Sequence, residues 1–271
     1  MAGCDSTEIT PLGFDPFDTE GGVLSVYGVL EAGTSTQSLR VQLLRRRIER
    51  TMTPEAAVVG ATVLTKNLDT GAQTLWVPRV VRLADSSYVE VYEAAFEPRA
   101  GTPYQLTVER SADQAQADVT VPSTPRGALV TPEAALSETV SWSPVSRVAD
   151  TRLVVRIGCA SGRPIEIRGA LSVATAEGVA RTTVDFASVR AQVNAALNVP
   201  SDSLLFVADA ALTVTAADAA WSLPEDPSEQ AQPGNTNVEG GYGRFGALTR
   251  GFFFWEPDRA LLNQLTLEPC P

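Results

Sequence analysis

At 271 residues, with 44 % hydrophobic and 20 % charged side chains, the chain is long enough for two domains with separate cores and too apolar to be disordered. Its formal charge of -11 argues against a nucleic-acid partner, because binding a phosphate backbone requires a basic face. The absence of histidine excludes Ser-His-Asp and Cys-His nucleophilic catalysis and every histidine-containing metal site, and no run of about 18 apolar residues is present to cross a membrane as a helix.

In chain order, Met1-Ala2-Gly3-Cys4 places small residues before a cysteine, the arrangement that ends a bacterial lipoprotein signal peptide, although the apolar part of such a signal is missing. Cys4 is therefore the expected lipid attachment. The polar run Asp5 to Glu20, with Pro11 and Pro16, reads as a tether, so residues 1–21 form a lipobox remnant and spacer. From Gly22 to Pro122, period-two alternation is interrupted by turn chemistry, the pattern of an antiparallel β-sandwich with roughly seven strands. Val23 to Leu30 is apolar on both faces, as a central strand is, and Val41 to Leu44 is its expected partner. Val58 to Thr65 and Ala72 to Val77 flank the turn Asn67-Leu-Asp-Thr-Gly71 as a hairpin, and Tyr88 to Tyr92, Tyr104 to Glu109 and Ala117 to Val121 complete the set. Pro122-Ser-Thr-Pro125 then breaks the pattern and places a boundary near residue 123, giving a sandwich over 22–122 and a β-rich second domain over 123–271.

In that second domain Thr139 to Trp142, Leu153 to Cys159, Ile165 to Leu171 and Leu212 to Thr215 read as strands. Phe186, Val189, Val193 and Leu197 recur at helical spacing behind Asp185, a suitable N-cap, and predict one amphipathic helix; Ala216 to Trp221 reads as a further helical turn. Pro224 to Pro233 forms an acidic exposed loop, and Asn235 to Ala247 follows with four glycines and two aromatics. No helix and no Gly-Lys-Ser/Thr comes after those glycines, so they do not make a phosphate loop. The expectation is an ordered connection pinned by the rings of Tyr242 and Phe245, leading into a core strand at Phe252 to Trp255. Cys159 and Cys270 are the candidate disulfide, a bridge that would stabilise an exported protein by about 2 to 4 kcal/mol.

With these residues in view, the chain resembles a family of bacterial outer-membrane lipoproteins of unknown function, the domain-of-unknown-function family forty-two forty-nine. Cys4, Val59-Gly-Ala-Thr-Val63, Tyr88, Gly101-Thr-Pro-Tyr-Gln-Leu-Thr-Val108 and, most specifically, Asn237-Val-Glu-Gly-Gly-Tyr-Gly-Arg-Phe-Gly-Ala247 carry the resemblance. The first-domain motifs are shared with transthyretin-like sandwiches, and Thr139 to Trp221 departs from the family pattern. The resemblance implies an Ig-like or transthyretin-like N-terminal domain and a lipid anchor in an outer membrane of the Bacteroidetes type, facing the periplasm or the surface. It also implies a role beside a TonB-dependent type receptor, and it carries over no catalytic residue.

The expected function is therefore a non-catalytic binding or accessory lipoprotein with an outer-membrane receptor or surface protein as partner, and with no cofactor or metal. Tyr242, Phe245 and Trp255 are its candidate contact residues. A structural or adhesive surface module is the alternative, and the acidic clusters Asp15, Asp18, Glu20 and Glu225, Asp226, Glu229 lack the spacing of a calcium loop. A carboxylate-based hydrolase such as a glycosidase is the second alternative; it would show as two carboxyl groups facing one another across a cleft.

Overall fold

The computed structural model describes residues 23–44, 51–130, 136–159, 162–167, 171–219 and 236–270. Cys4, the tether, both acidic clusters and the loop Pro224 to Pro233 lie outside them. The first half contributes β1 (Val23–Glu31), β2 (Gln37–Leu44), β3 (Thr62–Asn67), β4 (Gln73–Leu75), β5 (Val77–Arg82), β6 (Tyr88–Ala94), β7 (Pro103–Arg110) and β8 (Asp113–Thr120). A single helical turn, α1 (Pro54–Ala57), precedes β3. Alternation in the sequence becomes alternation of burial: in β7, Tyr104, Leu106 and Val108 face the core while Gln105 and Thr107 face partly outward. The expected hairpin forms because the Asn67 side chain accepts the N–H groups of Asp69 and Thr70, each at 3.0 Å, and Gly71 supplies φ 74°. Val58 to Ala61 does not extend β3 as the sequence suggests. Thr53 caps α1, and the N–H groups of Val59 and Gly60 turn instead to the buried Glu90 carboxylate.

The second half adds β9 (Arg126–Val130), β10 (Ser137–Ser143), β11 (Val148–Ile157), β12 (Arg163–Ile167), β13 (Leu171–Ala176), β14 (Val179–Asp185), β15 (Leu205–Ala217), β16 (Tyr242–Trp255) and β17 (Leu267–Pro269). The predicted helix is present as α2 (Phe186–Leu197): Asp185 accepts the Ala187 N–H at 3.0 Å, Asn198 ends the helix with φ 54°, and Phe186, Val189 and Val193 are buried. A short α3 (Arg259–Gln264) follows β16. Two expectations are corrected. Ala216 and Ala217 belong to β15 and form no helical turn, and the single strand read from Ile165 to Leu171 is the end of β12 and the start of β13.

Nine strands join in one sheet, β12-β11-β15-β16-β1-β2-β6-β5 with β17 beside β15. Two four-stranded sheets, β4-β3-β7-β8 and β13-β14-β10-β9, accompany it and enclose two cores. The first core is built around Trp76, Tyr92, Leu24, Leu106 and Phe245; the second around Trp142, Phe186, Leu153 and Leu212. The protein is thus mainly β, a sandwich followed by a second β-rich half with one amphipathic helix, as the alternation predicts.

β16 joins the two halves. Its residues Tyr242 to Leu248 pair in parallel with Ser25 to Glu31 of β1, and Leu248 to Trp255 pair antiparallel with Ala217 to Ala210 of β15. The glycine-rich stretch is therefore not a connection within a second domain. Its second half, Tyr242 to Ala247, is a strand of the first sandwich, and Val238, Phe245 and Ala247 lie in that core, so a division at residue 123 leaves the first sandwich without one of its strands. Close approach explains the glycines. At Gly243, with φ 109°, a Cβ would fall on the Val26 carbonyl, and at Gly28 it would meet the Leu39 Cβ at 2.5 Å beneath the Phe245 ring. A strand returning from so far along the chain is not tied to β1 by a hairpin, which permits the parallel pairing.

Candidate functional site

Tyr242, Phe245 and Trp255, the candidate contact residues, are all buried, with Phe245 at 0 % exposure. This overturns their assignment. Phe245 and Trp255 alternate inward along β16, and the Trp255 indole donates to the Glu138 carboxylate at 2.5 Å. Glu138 also accepts the Asp258 N–H at 2.8 Å, so it joins β10 to the start of α3. Cys159 and Cys270 are bonded, with Cα atoms 5.3 Å apart, and hold the C-terminal strand to the end of β11. Among the described residues no group of three or more Cys, Asp or Glu side chains is placed to hold a metal ion.

The alternation that turns Phe253, partly buried, and Trp255, buried, toward the core turns Phe252 and Phe254 out to solvent, at 60 % and 64 % exposure. Phe252 stands at the lip of an open cleft of about 710 Å³ where the two sandwiches meet. Four segments build the cleft: the turn after β1 (Glu31 to Thr34), the loop after β6 (Glu97 to Ala100), the linker at Thr124, and Thr249 to Phe252 of β16. Hydrogen bonds hold these segments in place. Buried Gln37 donates from Nε2 to the Thr34 carbonyl at 2.9 Å and gives its Oε1 to the Glu31 N–H at 2.8 Å. The Arg99 N–H donates to the Tyr104 hydroxyl at 3.0 Å, and the Thr249 hydroxyl donates to the Pro122 carbonyl at 2.8 Å. Arg250 pairs with Glu31 at 2.6 Å along the rim. The Arg99 guanidinium and the Glu97 carboxylate, by contrast, make no hydrogen bond or ion pair among the described residues. The cleft therefore offers a cation, an anion and an exposed ring on a braced frame. This combination can receive a polar, partly aromatic or apolar ligand segment without rearrangement.

The sequence signal for this site was the Phe-Phe-Phe run itself, since in a strand two of three consecutive aromatics must share a face. Glu97 and Arg99 carry no comparable signal, because only the meeting of the two halves gathers them with Phe252.

Two other buried charges serve the fold. Glu90 accepts from the Val59 N–H at 2.8 Å and the Tyr92 hydroxyl at 2.8 Å, and that hydroxyl accepts the Ala61 N–H at 3.1 Å. Burial, and next the hydrogen bond to Glu90, push the Tyr92 phenol well above its ordinary 10.0. Arg190 of α2 donates to the carbonyls of Ser201 and Ser203 and so holds the chain that leaves the helix; burial lowers its pKa, and the nearby Asp202 opposes that shift.

No protein-family model and no curated protein sequence matches the chain. Among solved structures, bovine butyrophilin aligns over 70 % of this chain and 91 % of its own, at 11 % identity and a TM-score of 0.22. Titin A168-169 aligns over 71 % and 91 % at 10 % identity and a TM-score of 0.21, and the titin I9-I11 tandem over 84 % and 63 % at 11 % and 0.21. TM-scores of this size carry no weight for function, and the architecture stands on its own sheets.

Proposed function

We propose that the chain is a non-catalytic binding or accessory lipoprotein of a bacterial outer membrane, anchored through Cys4 and working beside a surface receptor of the TonB-dependent type. Its contact surface is the cleft between the sandwiches. The observation that carries the binding reading is that Arg99, Glu97 and Phe252 converge, exposed, on braced backbone, with the Arg99 and Glu97 side chains unpaired among the described residues. Exposed aromatic and arginine side chains on a rigid frame are the groups that dominate contact energies in protein recognition. The Cys159–Cys270 bridge supports an oxidising compartment outside the cytosol. The anchor rests on the Met1-Ala2-Gly3-Cys4 sequence and on the family resemblance.

Glu31 and Glu97 line the same cleft and are the two carboxylates a hydrolase would use there. We assign them to recognition, because Glu31 is already engaged by Arg250. Affinity capture from native membranes tests the reading. The wild-type chain is expected to retain a surface partner, with Phe252→Ala and Arg99→Ala each weakening retention by about tenfold. Recovery of no surface partner, or cleft variants that bind as the wild type does, would overturn it. Palmitate labelling lost in Cys4→Ser checks the anchor separately.

A further inference from the structure

Every sheet has edges, and an edge strand exposes unpaired N–H and C=O groups that pair with other chains unless something prevents it. Most edges of the described sheets carry such protection. β12 holds Arg163, Pro164 and Glu166; β5 holds Pro78, Arg79 and Arg82; β9 begins with Arg126. β8 carries Asp113 and Asp118 and is bridged by Glu239 at Gln116, and β4 is only three residues long. β13 is the exception. Leu-Ser-Val-Ala-Thr-Ala has no charge and no proline over six residues, and all but Leu171 are exposed. We infer that the edge of β13 left unpaired among the described strands is a self-association site, through which two copies of this chain pair antiparallel about a two-fold axis at Val173.

The register follows from the hairpin that presents the strand. β13 and β14 are joined by Glu177 and Gly178, both at positive φ, 50° and 77°, which is a two-residue type I′ turn closing on the pair Ala176 and Val179. Such a turn is closed by a hydrogen bond between its flanking residues, so Ala176 directs its main-chain groups toward β14. Along an antiparallel ladder the direction alternates, which sends Ala174 and Ser172 the same way and turns Thr175, Val173 and Leu171 outward to the open edge. Outward residues of one copy meet outward residues of the other. The two-fold therefore sets Val173 opposite Val173, and Leu171 opposite Thr175.

A second copy fits this edge because of charge. On a chain of formal charge -11, most surfaces of one molecule repel the same surface of another, whereas β13 brings no charged side chain against its twin. The contact also extends the sheet β13-β14-β10-β9 into one continuous eight-stranded sheet across the dimer, closed by symmetry so that it does not propagate. An edge contact of this size is small, so the dimer is weak and concentration dependent.

Sedimentation velocity of the full chain over a concentration series tests the proposal. Wild type is expected to shift from monomer to dimer as concentration rises, and Val173→Lys, which places two lysines opposite one another, is expected to weaken association by at least about tenfold. Val173→Glu alone should do the same, and an equimolar mixture of the two variants should recover dimer, because only the mixed pair sets opposite charges on the axis. Val173→Thr, neutral and β-branched, should dimerise as wild type does. Far-UV circular dichroism establishes that each variant is folded; Val173 is already 40 % exposed, so a charge there meets water in the monomer. Should Val173→Lys fail to fold, Thr175→Lys replaces it, read by the same loss of dimer. A wild-type chain that stays monomeric throughout, or a folded lysine variant that associates unchanged, would overturn the proposal. Failure of the mixed variants to recover dimer would overturn the register.

Discussion

Asn237 shows why a polar residue sits at the head of the glycine-rich stretch. Its amide donates to the Phe245 carbonyl at 2.6 Å and accepts the Phe245 N–H at 3.0 Å, which replaces a neighbouring strand at that residue. Asn237→Asp keeps the shape and the acceptor but removes the donor. It is expected to cost about 1 to 3 kcal/mol in denaturant unfolding, since a carboxylate would oppose the Phe245 carbonyl in a partly buried site. Tyr92 supplies a pH-dependent case. Its pKa in the fold lies above the unfolded value of 10.0, so its contribution to stability is complete below pH 10 and is lost as pH rises through the folded value. Urea unfolding at rising alkaline pH should show that decline in the wild type and a shallower one in Tyr92→Phe. The same variant should lose about 1 to 3 kcal/mol at neutral pH, because the Ala61 N–H and the Glu90 carboxylate each lose a partner.

Among the elements, α2 was readable because its signals are local: a capping aspartate and apolar residues at spacings of three and four. Asp185→Ala removes the bond to the Ala187 N–H and is expected to lower stability by about 1 kcal/mol, measured by thermal melting. β16 was readable only in part. Its aromatic end was expected as a core strand, and Phe253 and Trp255 do pack against the second core, but Phe252 and Phe254 face water. Its glycine-rich end reads in the sequence as a connection, because glycine without alternating side chains carries no strand signal of its own. Those positions are glycine because neighbouring backbone and side chains occupy the space a Cβ would need, and the identity of that neighbour, β1, is invisible from the local sequence.

At the scale of the molecule, a strand shared by the two sandwiches predicts that they unfold as one cooperative unit. A fragment of residues 22–122 lacks the strand that places Phe245 and Ala247 in its core, so it is expected to bind a hydrophobic dye and to show no cooperative thermal transition. Addition of residues 236–255 as a peptide should restore part of both. The disulfide acts on the same scale. It closes a sequence separation of 111 residues, for which the loss of chain entropy in the unfolded state corresponds to about 4 to 5 kcal/mol. The double variant Cys159→Ser, Cys270→Ser should therefore unfold at clearly lower denaturant concentration while keeping the same sheets.

By itself the sequence determined the β-rich class, most strands of the first half, the α2 helix and its cap, and the histidine-free chemistry, because each depends on composition or on neighbours within a few residues. The tertiary structure alone decided that β16 belongs to both halves, that Tyr242, Phe245 and Trp255 are buried, and that Arg99, Glu97 and Phe252 meet in a cleft. The reason is physical. Alternation states that a strand has two faces, but which face meets a core, and which strand lies beside it, depends on pairings made across more than two hundred residues of chain.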